Sequence, residues 1–314
     1  MKVVALAGGV GAGKFLRGLV RVVPPEALTV IVNTGDDIVL HGLHVSPDLD
    51  SVTYWLGGVG GRARETFRAT DELRAFGAEG SWFGLGDMDL ATHLFRTRLL
   101  AEGRTLSGAT STLAARFGVT AHLLPMSDDP VATHVEVSDD AGAAFDLHFQ
   151  EYWVRRGGRD EVKAVRFDGI ELARPAPGVV EAIEGADAVL LCPSNPIVSI
   201  DPILAVPRIG EAVAARRGRA AGVSPIVGGS PLRGMADKLL PVAGVEVSAA
   251  GVASYYAGRG LIGGWVIDGV DQGQAGRVRA MGIRVTVTDT IMVDDDAAER
   301  LARTALDTAL GDQP

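Results

Sequence analysis

Four aspartates follow a strand-like apolar run near the start of the chain. The stretch VNTGDDIVLHGLHVSPDLD covers residues 32–50 and holds Asp36, Asp37, Asp48 and Asp50. Like charges at the end of a buried strand cost stability unless a cation or hydrogen-bond donors lie among them. Mg²⁺ uses carboxylates in this way when it also binds phosphate oxygens. Because the residues between the aspartates are largely apolar, we expect a packed loop whose carboxylates bind a metal or ligand hydroxyls, rather than a solvated loop.

Softer metal ligands are scarce. His41 and His44 lie in the same stretch and are candidate donors to a phosphate. Zinc is not expected, because the chain has no cysteine and histidine spacing of the zinc-binding kind. The single cysteine, Cys192, ends an apolar run and is expected to be a buried hydrophobic residue rather than a nucleophile.

A glycine-rich turn, GGVGAGKF at residues 8–15, follows the first predicted strand and begins a helix. A P-loop is disfavoured because Phe15 replaces the hydroxyl residue that binds Mg²⁺, and the dinucleotide fingerprint fails because Lys14 replaces its last glycine. Free N–H groups and the helix dipole still favour an anion at such a turn. We therefore expect a phosphate-binding turn that includes Gly9, Gly11 and Gly13; a tight turn without a ligand is the alternative.

A second helix start carries carboxylates and aromatic residues. WFGLGDMDLATHLFR, residues 82–96, places Asp87 and Asp89 there. Helix capping accounts for one of them, and the pair after a Gly-Leu-Gly turn makes Asp87 a candidate ligand-binding residue. Trp82 and Phe83 are either core residues, which is the simpler interpretation, or a platform for a flat ring.

Polar residues also follow two later strands. Ser194 and Asn195 lie between prolines at the end of an apolar run, where they can bind a base, a ribose or a phosphate. Arg233 and Lys238 follow another strand and a glycine turn, where basic side chains can neutralise phosphate. A solvated basic pair is the alternative for the second site.

The composition narrows the class of protein. The chain has 314 residues, 47% of them hydrophobic, and a formal net charge of −9. That charge argues against a general nucleic-acid binder. One cysteine excludes an internal disulfide, and no uninterrupted apolar stretch of about 18 residues predicts a membrane helix. We expect a soluble, cytoplasmic protein with no nucleic-acid or membrane partner.

Short apolar runs alternating with helical patterns predict an α/β fold with a Rossmann-like, doubly wound, mostly parallel sheet. The predicted buried strands are 3–8, 28–33, 187–193, 222–229, 263–268 and 283–289. The middle of the chain differs, with three helical patterns at 68–77, 88–102 and 106–117, followed by antiparallel strands between 121 and 168 that begin with AHLLPM. We therefore predict a core formed by residues 1–60 and 170–314, with an inserted α+β subdomain at 61–169.

Together these motifs resemble the 2-phospho-L-lactate transferases of coenzyme F-420 biosynthesis, and their sequences are most similar to the actinobacterial branch of that family. The resemblance rests on GGVGAGKF, VNTGDDIVLHGLHVSPDLDS, WFGLGDMDLATH, HFQEYWVRR, CPSNPIVSIDPIL and SPIVGGSPLRGMADK. It implies a Rossmann-like homodimer that requires Mg²⁺. The implied reaction transfers a phosphoenolpyruvyl or 2-phospholactyl group from a guanosine diphosphate adduct to the ribityl hydroxyl of the deazaflavin Fo, with release of GMP.

The resemblance also implies roles for particular residues. Asp36 and Asp50 would be catalytic and, with Asp37, would bind Mg²⁺, while Asp48 would help to bind substrate. The glycine turn would take the diphosphate, Arg233 would assist, and Ser194 and Asn195 would fix the guanosine. Met88 stands beside Asp87 where the family carries an arginine for Fo, so either Arg96 or Arg98 compensates or the acceptor contact differs.

Two other functions remain open at this point. One is a P-loop-like nucleotide kinase or hydrolase built on the glycine turn. The other is a regulator that binds a nucleotide or sugar phosphate without turnover. The carboxylate set favours an enzyme, because a phosphate sensor has little use for four acidic groups beside its ligand.

Overall fold

Strands and helices alternate along most of the chain, which the computed structural model describes over residues 1–60, 65–138 and 142–311. The strands are β1 (Val3–Ala7), β2 (Leu28–Val32), β3 (Ile38–Leu40), β4 (Leu43–Val45), β5 (His122–Pro125), β6 (Ala132–Ser138), β7 (Ala144–His148), β8 (Glu161–Asp168), β9 (Ala188–Leu191), β10 (Ala220–Val223), β11 (Ile226–Val227), β12 (Ser230–Pro231), β13 (Gly264–Asp268) and β14 (Arg284–Thr288). The α-helices are α1 (Gly9–Val22), α2 (Pro47–Leu56), α3 (Arg68–Ala75), α4 (Asp87–Ala101), α5 (Leu106–Arg116), α6 (Val179–Glu184), α7 (Asp201–Ala205), α8 (Ile209–Ala215), α9 (Ala236–Leu239), α10 (Ala249–Gly258), α11 (Ala275–Ala280) and α12 (Asp295–Leu310).

A seven-stranded parallel sheet forms the centre, in the order β14-β13-β10-β9-β1-β2-β5. The chain leaves β1 towards β2 on one side and later returns to β9 on the other. Strand order therefore reverses between β1 and β9, which leaves a crevice at the carboxyl ends of these strands. The predicted α/β, doubly wound fold is confirmed.

Each face of the sheet is covered by helices. On one face, Phe15 and Leu19 of α1 pack with Leu301 of α12. On the other, residues of α6, α8, α10 and α11 join a larger core that includes Trp265 of β13. Burial on both faces explains why the strands read as continuous apolar runs in the sequence.

One strand of the predicted insertion belongs to the central sheet instead. AHLLPM was predicted to begin the antiparallel strands, but β5 pairs with β2 in parallel, with Thr29 opposite His122 and Val32 opposite Pro125. That prediction was wrong because the helices between β2 and β5 act as a crossover connection, which returns the chain in the same direction. The antiparallel part is the three-stranded sheet β7-β6-β8. The domain boundaries themselves stay a prediction.

The aspartate-rich stretch has regular structure that the sequence analysis did not predict. It forms the antiparallel hairpin β3-β4 and then helix α2, which begins at Pro47. The hairpin turns at His41 and Gly42, whose φ angles are 53° and 76°, as a two-residue turn with positive φ at both positions requires. Asp48 and Asp50 consequently lie in the first turn of a helix rather than in a loop.

Candidate active site

A cleft of about 570 Å³ opens at the carboxyl edge of the parallel sheet. The turns that follow β1, β9, β10 and β14 all line it. It lies over the point between β1 and β9 where strand order reverses, the place where ligands bind in doubly wound sheets. Its volume suits a ligand of nucleotide size. We call this the larger cleft.

The glycine turn forms one wall of the larger cleft and is fixed to the end of β9. The Gly8 N–H donates to Ser194 Oγ at 3.3 Å, and the Ser194 hydroxyl donates to the Gly8 carbonyl at 2.8 Å. Gly9 has a φ of 72°, which favours glycine. A Cβ on Gly11 would stand 2.7 Å from the carbonyl oxygen of Pro193. The two turns are therefore in direct contact, with no room for side chains between them.

Gly13 lies outside this wall, although the sequence analysis placed it in the phosphate turn. A Cβ there would stand 2.5 Å from the Trp55 ring, so the glycine lets α1 pack closely on α2. Lys14 does line the larger cleft, with Nζ 5.9 Å from the centre of the same ring. Phe15 is fully buried, so no hydroxyl is presented where a P-loop would need one.

Gly11→Ala tests this wall. We expect the variant to raise the Kd for GDP, the diphosphate part of the implied donor, by about tenfold, because the new methyl group must push the turn away from Pro193. The control is Gly258→Ala in α10, where a Cβ meets no atom within 4 Å. It should gain about 0.5–1 kcal/mol of stability and bind GDP normally. Calorimetric titration showing equal GDP affinity in both variants would contradict the assignment.

Asp36 and Asp48 form a buried acidic pair beside the glycine turn. Both line the larger cleft, and their side chains are 4% and 6% exposed. Asn33 Nδ2 donates to Asp48 Oδ2 at 2.9 Å, and Gln150 Nε2 donates to Asp36 Oδ2 at 3.2 Å. Asp36 Oδ1 has no hydrogen-bond partner among the described residues. A cation-binding oxygen is thus left available inside the fold.

The pKa values of this pair reflect burial and repulsion. Burial, and then the charge of Asp48, raises the pKa of Asp36 well above its ordinary value. Burial raises the pKa of Asp48 to about 7, against the opposing effect of the Asn33 hydrogen bond. Two carboxylates that resist ionisation side by side are what a divalent cation would stabilise.

Asp48→Asn should therefore stabilise the metal-free protein at alkaline pH. Because the pKa of Asp48 is higher in the folded than in the unfolded chain, its contribution to stability is lost as pH rises towards about 7. We expect the variant to melt about 2–6 °C above the wild type at pH 8 in EDTA, and by a smaller margin at pH 5. Thermal unfolding at both pH values measures this. A variant less stable than the wild type at pH 8 would refute the burial argument.

The predicted set of Asp36, Asp37 and Asp50 does not line one cleft, although Asp37 Oδ1, like Asp36 Oδ1, has no hydrogen-bond partner among the described residues. Asp37 Oδ2 accepts hydrogen bonds from His44 Nε2 at 2.9 Å and Ser46 Oγ at 2.7 Å, which ties the hairpin to the start of α2. Asp50 pairs with the buried guanidinium of Arg96. Over residues 1–60, 65–138 and 142–311, no group of three or more acidic, histidine or cysteine side chains has the arrangement of a metal site.

Asp50 instead lines a second cleft of about 320 Å³, which we call the smaller cleft. Tyr54, Phe83 and His93 provide ring surfaces in it, and Asp89 adds a carboxylate. Burial and repulsion from Glu65 raise the pKa of Asp89. Pro47 and Ser51 line both clefts, so the clefts meet at the first turns of α2.

The candidates at the start of α4 are only partly placed in this cleft. Asp87 binds the start of α3 and the segment before it, accepting from Ala69 N at 3.0 Å and Thr66 Oγ1 at 2.5 Å. Met88 is 54% exposed, and neither residue is among those that line the smaller cleft. Asp89, which the sequence analysis noted but did not select, does line it. Its position three residues after the Gly-Leu-Gly turn was the signal that could have identified it.

Neither arginine considered as a substitute at Met88 is placed to act as one. Arg96 is 1% exposed and its guanidinium is committed to Asp50. Arg98 pairs on the surface with Glu102 at 2.7 Å. Of the two aromatic residues in question, Phe83 lines the smaller cleft. Trp82 packs edge-to-face against the Phe83 ring, with 5.8 Å between the ring centres.

The remaining predicted residues border the larger cleft. Asn195 lines it, but its side-chain oxygen accepts from Ile197 N at 3.0 Å and so caps the following turn. Arg233 lines it from an exposed loop. Lys238 turns away and donates to the carbonyl of Gly158. Ser194 serves the glycine turn as described above.

Several residues in or beside the larger cleft were missed by the sequence analysis. Asn33 and Gln150 hold the acidic pair, and Thr290 closes the far end of the larger cleft while its N–H and hydroxyl both bond Asp268 Oδ2 at 2.8 Å. Asn33 could have been identified from its position directly after β2. Gln150 and Thr290 carry no local signal, since long-range folding brings them to the site.

No helix in the described part of the chain combines the length and apolar character needed to cross a membrane.

Comparisons with known proteins agree along the whole chain. The sequence model of the family described as "2-phospho-L-lactate transferase CofD" matches residues 3–309. A protein of Streptomyces griseus named phosphoenolpyruvate transferase is 51% identical over 98% of both chains. Proteins of the same name from Thermobifida fusca and Mycolicibacterium smegmatis are 47% and 41% identical; the matches cover 99% and 98% of this chain, and 98% and 99% of theirs.

Solved structures match the fold. A crystal structure of a Bacillus halodurans protein of the UPF0052 family superposes with a TM-score of 0.64. The match covers 97% of this chain and 99% of that one at 18% sequence identity. At that identity the likeness shows the fold alone.

Proposed function

The chain belongs to the 2-phospho-L-lactate transferase family of coenzyme F-420 biosynthesis, and from this premise we propose that it transfers a phosphoenolpyruvyl group from a guanosine diphosphate adduct to the ribityl hydroxyl of Fo, with release of GMP. That the protein is a transferase of phosphorylated three-carbon acids follows from the family and from the names of its relatives. The choice of phosphoenolpyruvyl over 2-phospholactyl is supported by those names. Of the other functions considered, buried Phe15 argues against a P-loop kinase.

The observation that carries the proposal is the buried pair of Asp36 and Asp48 facing the glycine turn. The diphosphate of the donor would lie in the larger cleft beside this pair, near the start of α1. Asp36 and Asp48 would hold Mg²⁺, because Asp36 Oδ1 is unpartnered among the described residues and the pair is raised in pKa by burial. When bound, Mg²⁺ supplies positive charge to the phosphate oxygens.

The acceptor would occupy the smaller cleft. Tyr54 and Phe83 offer apolar ring surface for a flat aromatic system, and the carboxylates offer acceptors for the hydroxyls of a ribityl chain. The two clefts meet at Pro47 and Ser51, so a hydroxyl in one can reach a phosphate in the other. Asp50 therefore changes its proposed role, from metal ligand and base to a fixed carboxylate of the acceptor site.

The chemistry then depends on positioning rather than on a covalent intermediate. Cys192 is buried and its pKa is raised by that burial, and the Ser194 hydroxyl is occupied by the Gly8 carbonyl. The proton of the attacking hydroxyl needs a base, and Asp89 is our candidate because its raised pKa suits a general base better than a carboxylate paired with arginine.

Product analysis tests the proposal. The purified protein is incubated with Fo, Mg²⁺ and, in separate reactions, the phosphoenolpyruvyl, 2-phospholactyl and 3-phosphoglyceryl adducts of guanosine diphosphate, and Fo is followed by mass spectrometry. We expect a mass gain on Fo with the first adduct in preference to the others. Unchanged Fo with all three adducts, in protein shown to be folded, would contradict the proposed transferase activity.

The resemblance also leads us to propose a homodimer acting in the cytoplasm, and light scattering measures the oligomeric state.

A further inference from the structure

His93 of α4 is a buried side chain in the smaller cleft to which neither the sequence motifs nor the proposed chemistry assigns a role. It is 2% exposed, yet it lines the cleft. Its Nδ1 lies 3.4 Å from Arg96 Nη1 and 3.5 Å from Asp50 Oδ2. Among the described residues, no hydrogen bond uses its Nε2. Nδ1 is thus engaged by the protein, whereas Nε2 remains for a ligand.

The arginine determines which ring nitrogen carries the proton. Arg96 is 1% exposed, and a guanidinium can only donate hydrogen bonds. Nδ1 of a neutral imidazole that faces this donor must accept, which leaves the hydrogen on Nε2. The Arg96–Asp50 ion pair fixes the donor in turn, since its Nη1 also lies 3.1 Å from Asp50 Oδ2. The ring is thereby held as an Nε2–H donor.

Carboxylates are the commonest polar groups that line this cleft, and Ser51 and Tyr54 add hydroxyls. Asp50, Glu65 and Asp89 contribute carboxylates, which accept hydrogen bonds when ionised. The Tyr54 hydroxyl donates to Thr92 Oγ1 at 2.9 Å and also interacts with Asp89, so it is already engaged within the protein. A hydroxyl-bearing ligand both donates and accepts, and a site of carboxylates alone would leave its oxygen lone pairs unmatched.

We propose that His93 is a specificity-determining residue for the acceptor, and that its Nε2–H donates a hydrogen bond to an oxygen of the polyhydroxylated aromatic acceptor in the smaller cleft. This inference rests on the proposed placement of the acceptor there. The carboxylates accept the protons of the acceptor's hydroxyls, while His93 supplies the complementary donor. A ligand without an oxygen at that position would leave the Nε2–H group unpaired and would be rejected.

Two substitutions and one control test this role. His93→Leu removes the donor at similar size, and His93→Gln retains an N–H that can replace Nε2–H. The control is His122→Leu, an exposed histidine at the amino end of β5 on the opposite edge of the sheet. For each protein, calorimetric titration gives the Kd for Fo and, separately, the Kd for GDP. Steady-state kinetics give kcat and the KM for each substrate.

We expect His93→Leu to raise the Kd and KM for Fo by about tenfold while the Kd for GDP stays within twofold. His93→Gln should recover most of the affinity, and His122→Leu should match the wild type. Unchanged Fo affinity in His93→Leu would overturn the inference, as would an equal loss of GDP and Fo affinity or a failure of glutamine to rescue. A wild-type protein that neither binds nor modifies Fo would overturn the proposed function and this inference together, which distinguishes that failure from the others.

Discussion

Asp36→Asn is expected to lower kcat by about 10²–10³-fold at saturating Fo and donor. The carboxylate lies in the larger cleft with one oxygen unpartnered among the described residues, and burial beside Asp48 opposes its ionisation. The negative charge of Asp36 therefore does not stabilise the fold. We infer that the charge serves to bind a cation and, through it, the donor phosphates. The asparagine retains the shape and the Gln150 contact but loses the negative charge. Initial rates of product formation, with Mg²⁺ varied, measure the effect.

The same variant should be no less stable than the wild type, which separates a loss of chemistry from a loss of fold. The matched control is Asp187→Asn, an exposed aspartate at the amino edge of the sheet that accepts from Lys2 N at 2.7 Å. It should retain wild-type kcat. If Asp36→Asn keeps more than about a tenth of the wild-type kcat, the acidic pair is not the centre of the reaction.

Arg96→Met is expected to destabilise the protein by about 3–5 kcal/mol, the cost of leaving a buried ion pair half removed. The guanidinium makes two contacts with Asp50, and the side chains are 2% and 9% exposed. Methionine fills similar space but leaves the Asp50 carboxylate buried without a counter-charge. Urea unfolding followed by circular dichroism measures the change in the free energy of unfolding.

A second substitution tests whether the unpaired charge is the cause. Adding Asp50→Leu to Arg96→Met should restore most of the stability, because the remaining pair is apolar and of similar volume. The double variant should nevertheless lose acceptor binding, since Asp50 and the Nε2–H form of His93 both depend on this pair. A double variant as unstable as Arg96→Met would show that the arginine contributes through packing rather than charge.

Much of the fold could be predicted from the sequence because its strands are buried on both faces. β1, β2 and β9 are short apolar runs that fall within the strands predicted at 3–8, 28–33 and 187–193. β5 was assigned to the wrong sheet because its direction relative to β2 is decided by a long helical crossover, not by its own residues. Alternation and apolar content say that a strand forms, but they do not identify its partner.

The predicted site residues are divided between two clefts, and the sequence analysis did not predict this division. Asp48 and Asp50 are two residues apart, and in a helix of 3.6 residues per turn such side chains point in different directions. Ser46 and Pro47 form a helix-start signal from which this division could have been inferred. Arg96 could not be found in this way, because one arginine in a helical pattern carries no sign that it will be buried against Asp50.

Direct transfer between the two clefts is the central claim, and rapid-quench measurement of GMP tests it. The protein is mixed with Mg²⁺ and the phosphoenolpyruvyl adduct of guanosine diphosphate, with and without Fo, and GMP and modified Fo are quantified over the first turnovers. We predict that GMP forms only when Fo is present, in a one-to-one ratio with modified Fo. A burst of GMP equal to the enzyme concentration in the absence of Fo would reveal a covalent intermediate and would contradict the account.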